Sequence, residues 1–234
     1  MSLLVCSLCK DEMGRYLTKV VPIWQQFADE ILVVDDGSTD GSLEYLKENS
    51  CTVVRNDGPP MFGAERHIRE LLFTEAIKTN HDWLLWLDTD MIPSSDPRPF
   101  TERAMNSLAF RYCDLWNSSQ YREDEHWNAH LRPRVWAIKN DVRGNPRLAD
   151  RGWHSGHIPR AAVKSLVGVV PERCSLLHYA YATEEGRQRQ YHKYLKLHQE
   201  GHVTGLEWDH ARTIIDPHPN LVDIPFDLEY SVEP

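Results

Sequence analysis

The sequence predicts an α/β fold, with a mostly parallel central sheet covered by helices on both faces and then a more irregular half. Three observations predict it. Short apolar runs alternate with stretches of helical period from Leu3 to Leu87. Carboxylate-rich clusters fall where the first, second and fourth of these runs stop. No internal repeat or low-complexity linker interrupts the 234 residues, so one domain is expected over 1–234, with halves at 1–95 and 96–215 and a tail at 216–234.

Leu3 to Leu8 reads as a buried strand that ends at Lys10-Asp11-Glu12. Tyr16 to Phe27 carries Leu17, Val20, Val21 and Trp24 at helical spacing. Pro22 lacks a backbone donor, so this helix is expected to kink at Pro22 or to begin there. Glu30 to Val34 is a second strand, running into Asp35-Asp36-Gly37-Ser38-Thr39-Asp40. A short helix near Ser42 to Asn49 and a strand from Cys51 to Arg55 follow, and Gly58-Pro59-Pro60 breaks the chain. Ala64 to Lys78 sets Ile68, Leu71, Leu72 and Ala76 on one helical face. Trp83 to Leu87 is apolar at every position, as expected of a strand buried on both sides.

Beyond Pro93 the pattern loosens. Asp96 to Pro99 is expected to open a helix to Leu108, with strands at Ala109 to Leu115 and Arg134 to Lys139. Asn140 to Gly156 is polar and Gly-rich and reads as a long loop, a class that is usually functional. Leu176 to Ala180 is a short strand. Thr183 suits the N-cap of the next helix, with Glu184 and Glu185 in its first turn and Gly201 as its stop. Asp216 to Pro234 is acidic and Pro-punctuated, either an extended wrapping tail or disorder.

Composition excludes several classes. A formal charge of −9 repels nucleic-acid backbones and anionic membranes, unless basic residues such as Arg132, Arg134, Arg143 and Arg147 cluster locally. No apolar run is long enough to span a bilayer, and Leu3 to Leu8 lacks the basic flank and small-residue cleavage site of a signal peptide, so a soluble, cytoplasmic protein is expected. Five cysteines, Cys6, Cys9, Cys51, Cys113 and Cys174, show no framework spacing and read as reduced thiols. In a strand, Cys6 and Cys9 point to opposite faces, which argues against a zinc or redox pair. Trp116, Trp127, Trp136, Trp153 and Trp208 are either core residues or platforms for a sugar ring.

The strand ends carry the chemistry. Open α/β sheets bind ligands outside the carboxyl ends of their strands, where strand order reverses. Asp88 and Asp90, separated by one residue at the end of a rigid strand, can hold a hard divalent cation that also bridges phosphate oxygens. The D-x-D spacing alone arises by chance about once in a chain of this kind, so its placement gives it weight. Asp36 can accept a hydrogen bond from a uracil imide or a ribose hydroxyl, with Gly37 turning the backbone beneath the base; the same residues also suit a tight turn. Arg66 is a candidate to assist a departing diphosphate.

VVDDGSTDGS, then LWLDTDMIP about fifty residues later, with KDE after the first strand and AERH in the helix before the fourth, resembles the family 2 glycosyltransferases of GT-A fold, a Rossmann-like architecture. The resemblance covers Leu3 to Pro93. It implies an inverting, metal-dependent transfer of a sugar from a UDP- or GDP-sugar to an acceptor hydroxyl. It further implies that Asp36 holds the base, with Leu8 and Asp11 lining the nucleotide site, and that Arg66 stands in for the arginine of the family's A-R-N motif. Asp88 would contact ribose or metal, and Asp90 would ligate the metal. Leu177-His178-Tyr179-Ala180-Tyr181 is similar to a late H-Y-x-Y segment of small members, which implies that His178 completes the metal site. An imidazole ligand suits Mn2+ better than Mg2+, which stays possible. Inversion requires a general base, for which the Asp150 to His157 stretch offers Asp150, His154 and His157, and Glu123-Asp124-Glu125 is an alternative. The acceptor is open between a glycan, a small molecule and a modified nucleic-acid base. A nucleotidyltransferase and a catalytically silent sugar-nucleotide or glycan-binding module are the rival readings.

Overall fold

The computed structural model describes residues 1–142, 147–148, 156–163 and 166–234, side chains 62–64 apart. The first half is built as its apolar pattern dictates. Strands β1 (Leu3–Cys9), β2 (Glu30–Asp35), β3 (Thr52–Arg55) and β4 (Trp83–Trp86) alternate with helices α1 (Leu17–Phe27), α2 (Ser42–Glu48) and α3 (Met61–Ala76). After β5 (Met91–Pro93) and α4 (Arg98–Thr101) come β6 (Ser107–Phe110), β7 (Tyr112–Asp114), β8 (Gln120–Arg122), β9 (Arg134–Lys139), β10 (Val167–Val169) and β11 (Leu176–His178). Helices α5 (Glu184–Gln199) and α6 (Leu206–Arg212) and strand β12 (Leu221–Asp223) complete the chain.

The seven-stranded sheet has the order β10-β6-β9-β4-β1-β2-β3. Every pairing is parallel except those of β9, which runs against both β4 and β6. The second half thus adds three strands to the sheet begun by the first. From β1 the chain moves outward to β2 and β3, then returns past β1 to β4, so strand order reverses between β1 and β4. Right-handed crossovers put α3, the returning helix, on the face opposite α1 and α2. Val5, Cys6, Trp83 and Leu84 are wholly buried between these layers, and Trp86 stacks on Phe73 of α3 at 5.8 Å.

Two smaller sheets accompany the large one. One has the order β5-β11-β7, and His178 is in register with both Met91 and Asp114. The other pairs β8 with β12. A separate apolar cluster of Trp116, Trp127, Tyr181, Ala211 and Ile214 supports the second half.

Several expectations change. Of the two alternatives at Pro22, α1 does not begin there but runs through it, and the Thr18 carbonyl, four residues before it, accepts from the Tyr45 hydroxyl at 3.4 Å. The helix expected from Asp96 to Leu108 is a single turn, Arg98–Thr101, and Ser107 to Phe110 is a strand. All four residues of that strand are buried between β9 and β10, so sheet pairing outweighs local periodicity. The tail wraps: the Glu229 amide donates to the Ser94 carbonyl (2.9 Å), Tyr230 packs on Phe27 (5.9 Å), and the Val232 amide donates to the Tyr179 hydroxyl (3.1 Å). All five cysteines are free and buried. Among the described residues no helix is long and apolar enough to cross a membrane.

Candidate active site

At the carboxyl ends of β1 and β2, one turn is stitched to the other. Asp35 is fully buried, and its carboxylate accepts from the Gly37 (3.1 Å) and Ser38 (3.2 Å) amides, with Gly37 at φ 76°. That positive φ is why glycine stands there. Asp11 itself adopts φ 52°; its carboxylate accepts from the Thr39 amide at 2.7 Å, and its own amide donates to the Ser38 hydroxyl at 3.0 Å. Lys10 donates to the Gly37 carbonyl at 2.5 Å. Asp36 turns the other way and accepts from Asn56 Nδ2 (2.7 Å) and from the Met61 amide (2.8 Å) at the start of α3. Leu8 is half-buried against the core beside this turn.

The end of β4 supplies the second wall. The Met91 amide donates to the Asp88 carbonyl at 2.9 Å, and this tight turn swings the chain into β5 and aims Asp88 and Asp90 differently. Asp90 is 7 % exposed. Its Oδ1 faces His178 Nε2 and its Oδ2 faces Arg15 Nη2, both at 3.5 Å. Arg15 also pairs with the buried Glu12. Burial, partly offset by Arg15 and reinforced by Asp90, pushes the Glu12 carboxyl up to about 7. On the far side of its ring, His178 Nδ1 lies 2.7 Å from Asp114 Oδ1. Burial works against a charged His178, but Asp90 and Asp114 outweigh it and raise its pKa.

Asp88 is more open, and its Oδ2 is 3.9 Å from His157 Nε2. Desolvation in the cleft is outweighed by the electropositive groups around it, His157 first and then Arg69, His178 and Lys193, which hold its carboxyl below the usual range. Arg69 Nη1 lies 2.6 Å from His157 Nδ1, its Nε donates to Glu65 at 2.6 Å, and Trp136 packs on the imidazole at 4.6 Å. A guanidinium only donates, so Nδ1 accepts here and Nε2 carries the proton toward Asp88. Lys193 of α5 is solvent-accessible yet crowded; desolvation and the charge of Arg15 lower its pKa against Asp90, Glu12 and Asp88.

The fold therefore brings Asp36, Asp11 and Leu8 to one side of the β1/β4 switch point and Asp88, Asp90, His157 and His178 to the other. Arg66 donates to Glu70 at 3.0 Å, one turn along α3, and Glu70 also receives Arg147 at 3.0 Å. Asp150, His154 and Trp153 lie outside the described residues. Glu123 and Asp124 are engaged elsewhere, with His130 (2.6 Å) and with Arg122 (2.6 Å). Trp116, Trp127 and Trp136 are buried, which makes them packing residues. Sequence reading missed Arg15, Arg69, Asp114 and Lys193. Arg69 had a signal, four residues after Glu65 on one helix face. Asp114 had none, because its place depends on the pairing of β7 with β11.

Among the described residues no group of three or more His, Cys, Asp and Glu side chains is placed to hold a metal ion. The donor set still fits an ion shared with a ligand. Two adjacent ligands of one six-coordinate ion stand roughly 3 Å apart, close to the 3.5 Å between Asp90 Oδ1 and His178 Nε2. Phosphate oxygens and water would have to complete such a shell.

Comparison with known proteins adds the following. No family model matches the chain. Uncharacterized proteins of Mycobacterium bovis and Mycobacterium tuberculosis are each 25% identical over 199 residues, or 79% of this chain and 48% of theirs. The chain thus spans about half the length of the curated relatives it matches. Similar solved structures include glucosyl-3-phosphoglycerate synthase from Mycobacterium tuberculosis in complex with phosphoglyceric acid. It is 16% identical with a TM-score of 0.40, over 60% of this chain and 57% of that one. The same enzyme with Mn2+, uridine diphosphate and glucosyl-3-phosphoglycerate is 17% identical with a TM-score of 0.36, over 47% and 44%. Overlap of that size leaves substrate and chemistry to be argued from the site itself.

Proposed function

We propose that the chain is a metal-dependent inverting glycosyltransferase of the family 2 type, with a GT-A core, acting on a UDP- or GDP-sugar. What supports this reading is that the Asp36 turn after β2 and the Asp90–His178 pair (3.5 Å) after β4 lie at the carboxyl ends of the two strands that flank β1. Asp36, with Leu8 and Asp11 around it, is the site for the base. Asp90 and His178 hold the cation, with Asp88 beside it toward the ribose or the metal. When bound, a divalent cation offsets the negative charge that develops on the leaving diphosphate. Mn2+ suits the imidazole ligand better than Mg2+.

In the reaction the acceptor oxygen forms a bond to the anomeric carbon as the bond from that carbon to the diphosphate oxygen breaks. The electron pair leaves with the diphosphate, and the acceptor proton passes to a general base. Arg69 and Lys193 add positive charge around the carboxylates, and Arg66 lies one turn from Arg69 on the same helix. Of Asp150, His154 and His157, the last has its Nδ1 lone pair directed at Arg69, so Asp150 and His154 are the base candidates to test first. The acceptor is a hydroxyl compound of open class.

Thermal-shift titration with UDP-, GDP- and dTDP-sugars, each with and without Mn2+, tests the donor assignment. Metal-dependent stabilisation by one nucleotide class, with slow donor hydrolysis, is expected. Stabilisation without turnover under any acceptor screen would favour a silent binding module instead.

A further inference from the structure

The geometry points to Asp114 as a positioning residue that holds His178 in the one tautomer able to ligate a cation beside Asp90. The inference rests on the reading of His178 as a metal ligand and goes beyond it to a residue that touches neither metal nor donor.

Two neutral imidazole tautomers are available to a histidine, and only the one protonated on Nδ1 leaves the Nε2 lone pair open. Asp114 selects that tautomer. Its Oδ1 lies 2.7 Å from His178 Nδ1, while Nε2 looks at Asp90 Oδ1 from 3.5 Å. Backbone pairing sets the contact, since Asp114 and His178 are register partners in the parallel β7–β11 ladder and His178 is paired with Met91 on its other side. One residue before Met91 is Asp90, whose carbonyl accepts from the Tyr179 amide at 2.9 Å. Three short strands therefore lock carboxylate, imidazole and carboxylate in one line. The ring plane is held as well, by Tyr112 at 5.0 Å and by the edge-on Tyr181 at 5.4 Å. A carboxylate behind a ligating histidine raises the ligand's basicity as well as aiming it, and losing such a partner typically costs about 10- to 100-fold in metal affinity.

The test compares the parent chain, Asp114→Asn, Asp114→Ala and His178→Ala, with Mn2+ alone and Mn2+ plus UDP as probes. Free Mn2+ is counted by electron paramagnetic resonance, and pulsed measurements read nitrogen coupling to the bound ion. The parent is expected to bind Mn2+ with nitrogen coupling. Asp114→Asn is expected to bind it about 10- to 100-fold more weakly with the coupling diminished, and UDP binding without metal is expected to stay unchanged. Stability separates the two roles. Asparagine keeps the volume, and its amide offers Nδ1 either a neutral acceptor or a donor that favours the wrong tautomer; Mn2+ affinity should fall with Tm unchanged, and alanine, which leaves the tautomer undecided, should weaken Mn2+ as well. A merely structural role lowers Mn2+ affinity only in step with Tm, and that result overturns the proposal. Parent-like Mn2+ affinity and coupling in Asp114→Asn, with both lost in His178→Ala, overturn it while leaving the metal site standing. Parent-like Mn2+ binding in His178→Ala removes the ligand assignment itself.

Discussion

Asp90→Asn is the substitution on which the metal reading turns. It keeps the size of the side chain and removes the charge that faces Arg15 and His178 at 3.5 Å each. On the proposed function, a nucleotide diphosphate bound to the parent with Mn2+ at a hundredfold excess over its Kd would add about 2.7 kcal/mol of stability. For a chain of 234 residues, a kilocalorie moves Tm by about 2–4 °C, so the complex should melt roughly 5–11 °C above the free protein. The variant is expected to keep whatever shift UDP produces without metal, since Asp36 is untouched, and to lose the Mn2+-dependent increment. Differential scanning fluorimetry with UDP and with UDP-sugars, with Mn2+ or with chelator, measures both arms. Should the variant gain the same Mn2+-dependent increment as the parent, Asp90 does not hold the cation and the reasoning fails.

Three more outcomes follow from the packing. Glu12 has a folded pKa of about 7 against 4.5 for an ordinary glutamate, raised first by burial. Its contribution to stability is therefore fully present below the unfolded value and is lost as pH rises through the folded one, at most about 3 kcal/mol. Glu12→Gln should flatten the fall in urea-derived stability over that window, measured in chelator, and an unchanged slope would contradict the assignment. Arg122 is 3 % exposed, sits 4.9 and 5.3 Å from the Trp116 and Trp127 rings, and pairs with Asp124 at 2.6 Å. Arg122→Met removes the guanidinium from between the indoles and from Asp124, which keeps the His126 and Trp127 amides as donors, and should cost about 1–3 kcal/mol, seen as indole fluorescence changing at lower denaturant. The Thr183 side chain accepts from the Gly186 amide at 2.9 Å, so Thr183→Ala should cost about 1 kcal/mol and lower Tm by a few degrees.

Much of the first half, and helix α5, is legible in the primary structure. Leu84 and Leu85 sit in a strand covered on both sides, so every position is apolar and the run announces itself. Thr183 and Gly201 bracket α5 because a side-chain cap and a positive φ, here 78° at Gly201, are local requirements. The second half reads less well. Ser107 to Phe110 has no periodicity that separates one more helical turn from a buried strand, and only its pairing with β9 and β10 decides. The indoles of Trp116 and Trp127 look the same in sequence whether they face a sugar or, as here, each other at 4.8 Å.

By itself the sequence determined the alternation of strands and helices and the strand ends at which Asp36, Asp88 and Asp90 stand, because both follow from patterns a few residues long. Only the tertiary structure decided which groups surround those carboxylates. Arg15 meets Asp90 across 75 positions of chain, and His178 meets Asp114 across 64. Such meetings are set by strand order and register, which depend on the burial of whole elements against one another and leave no mark on the residues beside either partner.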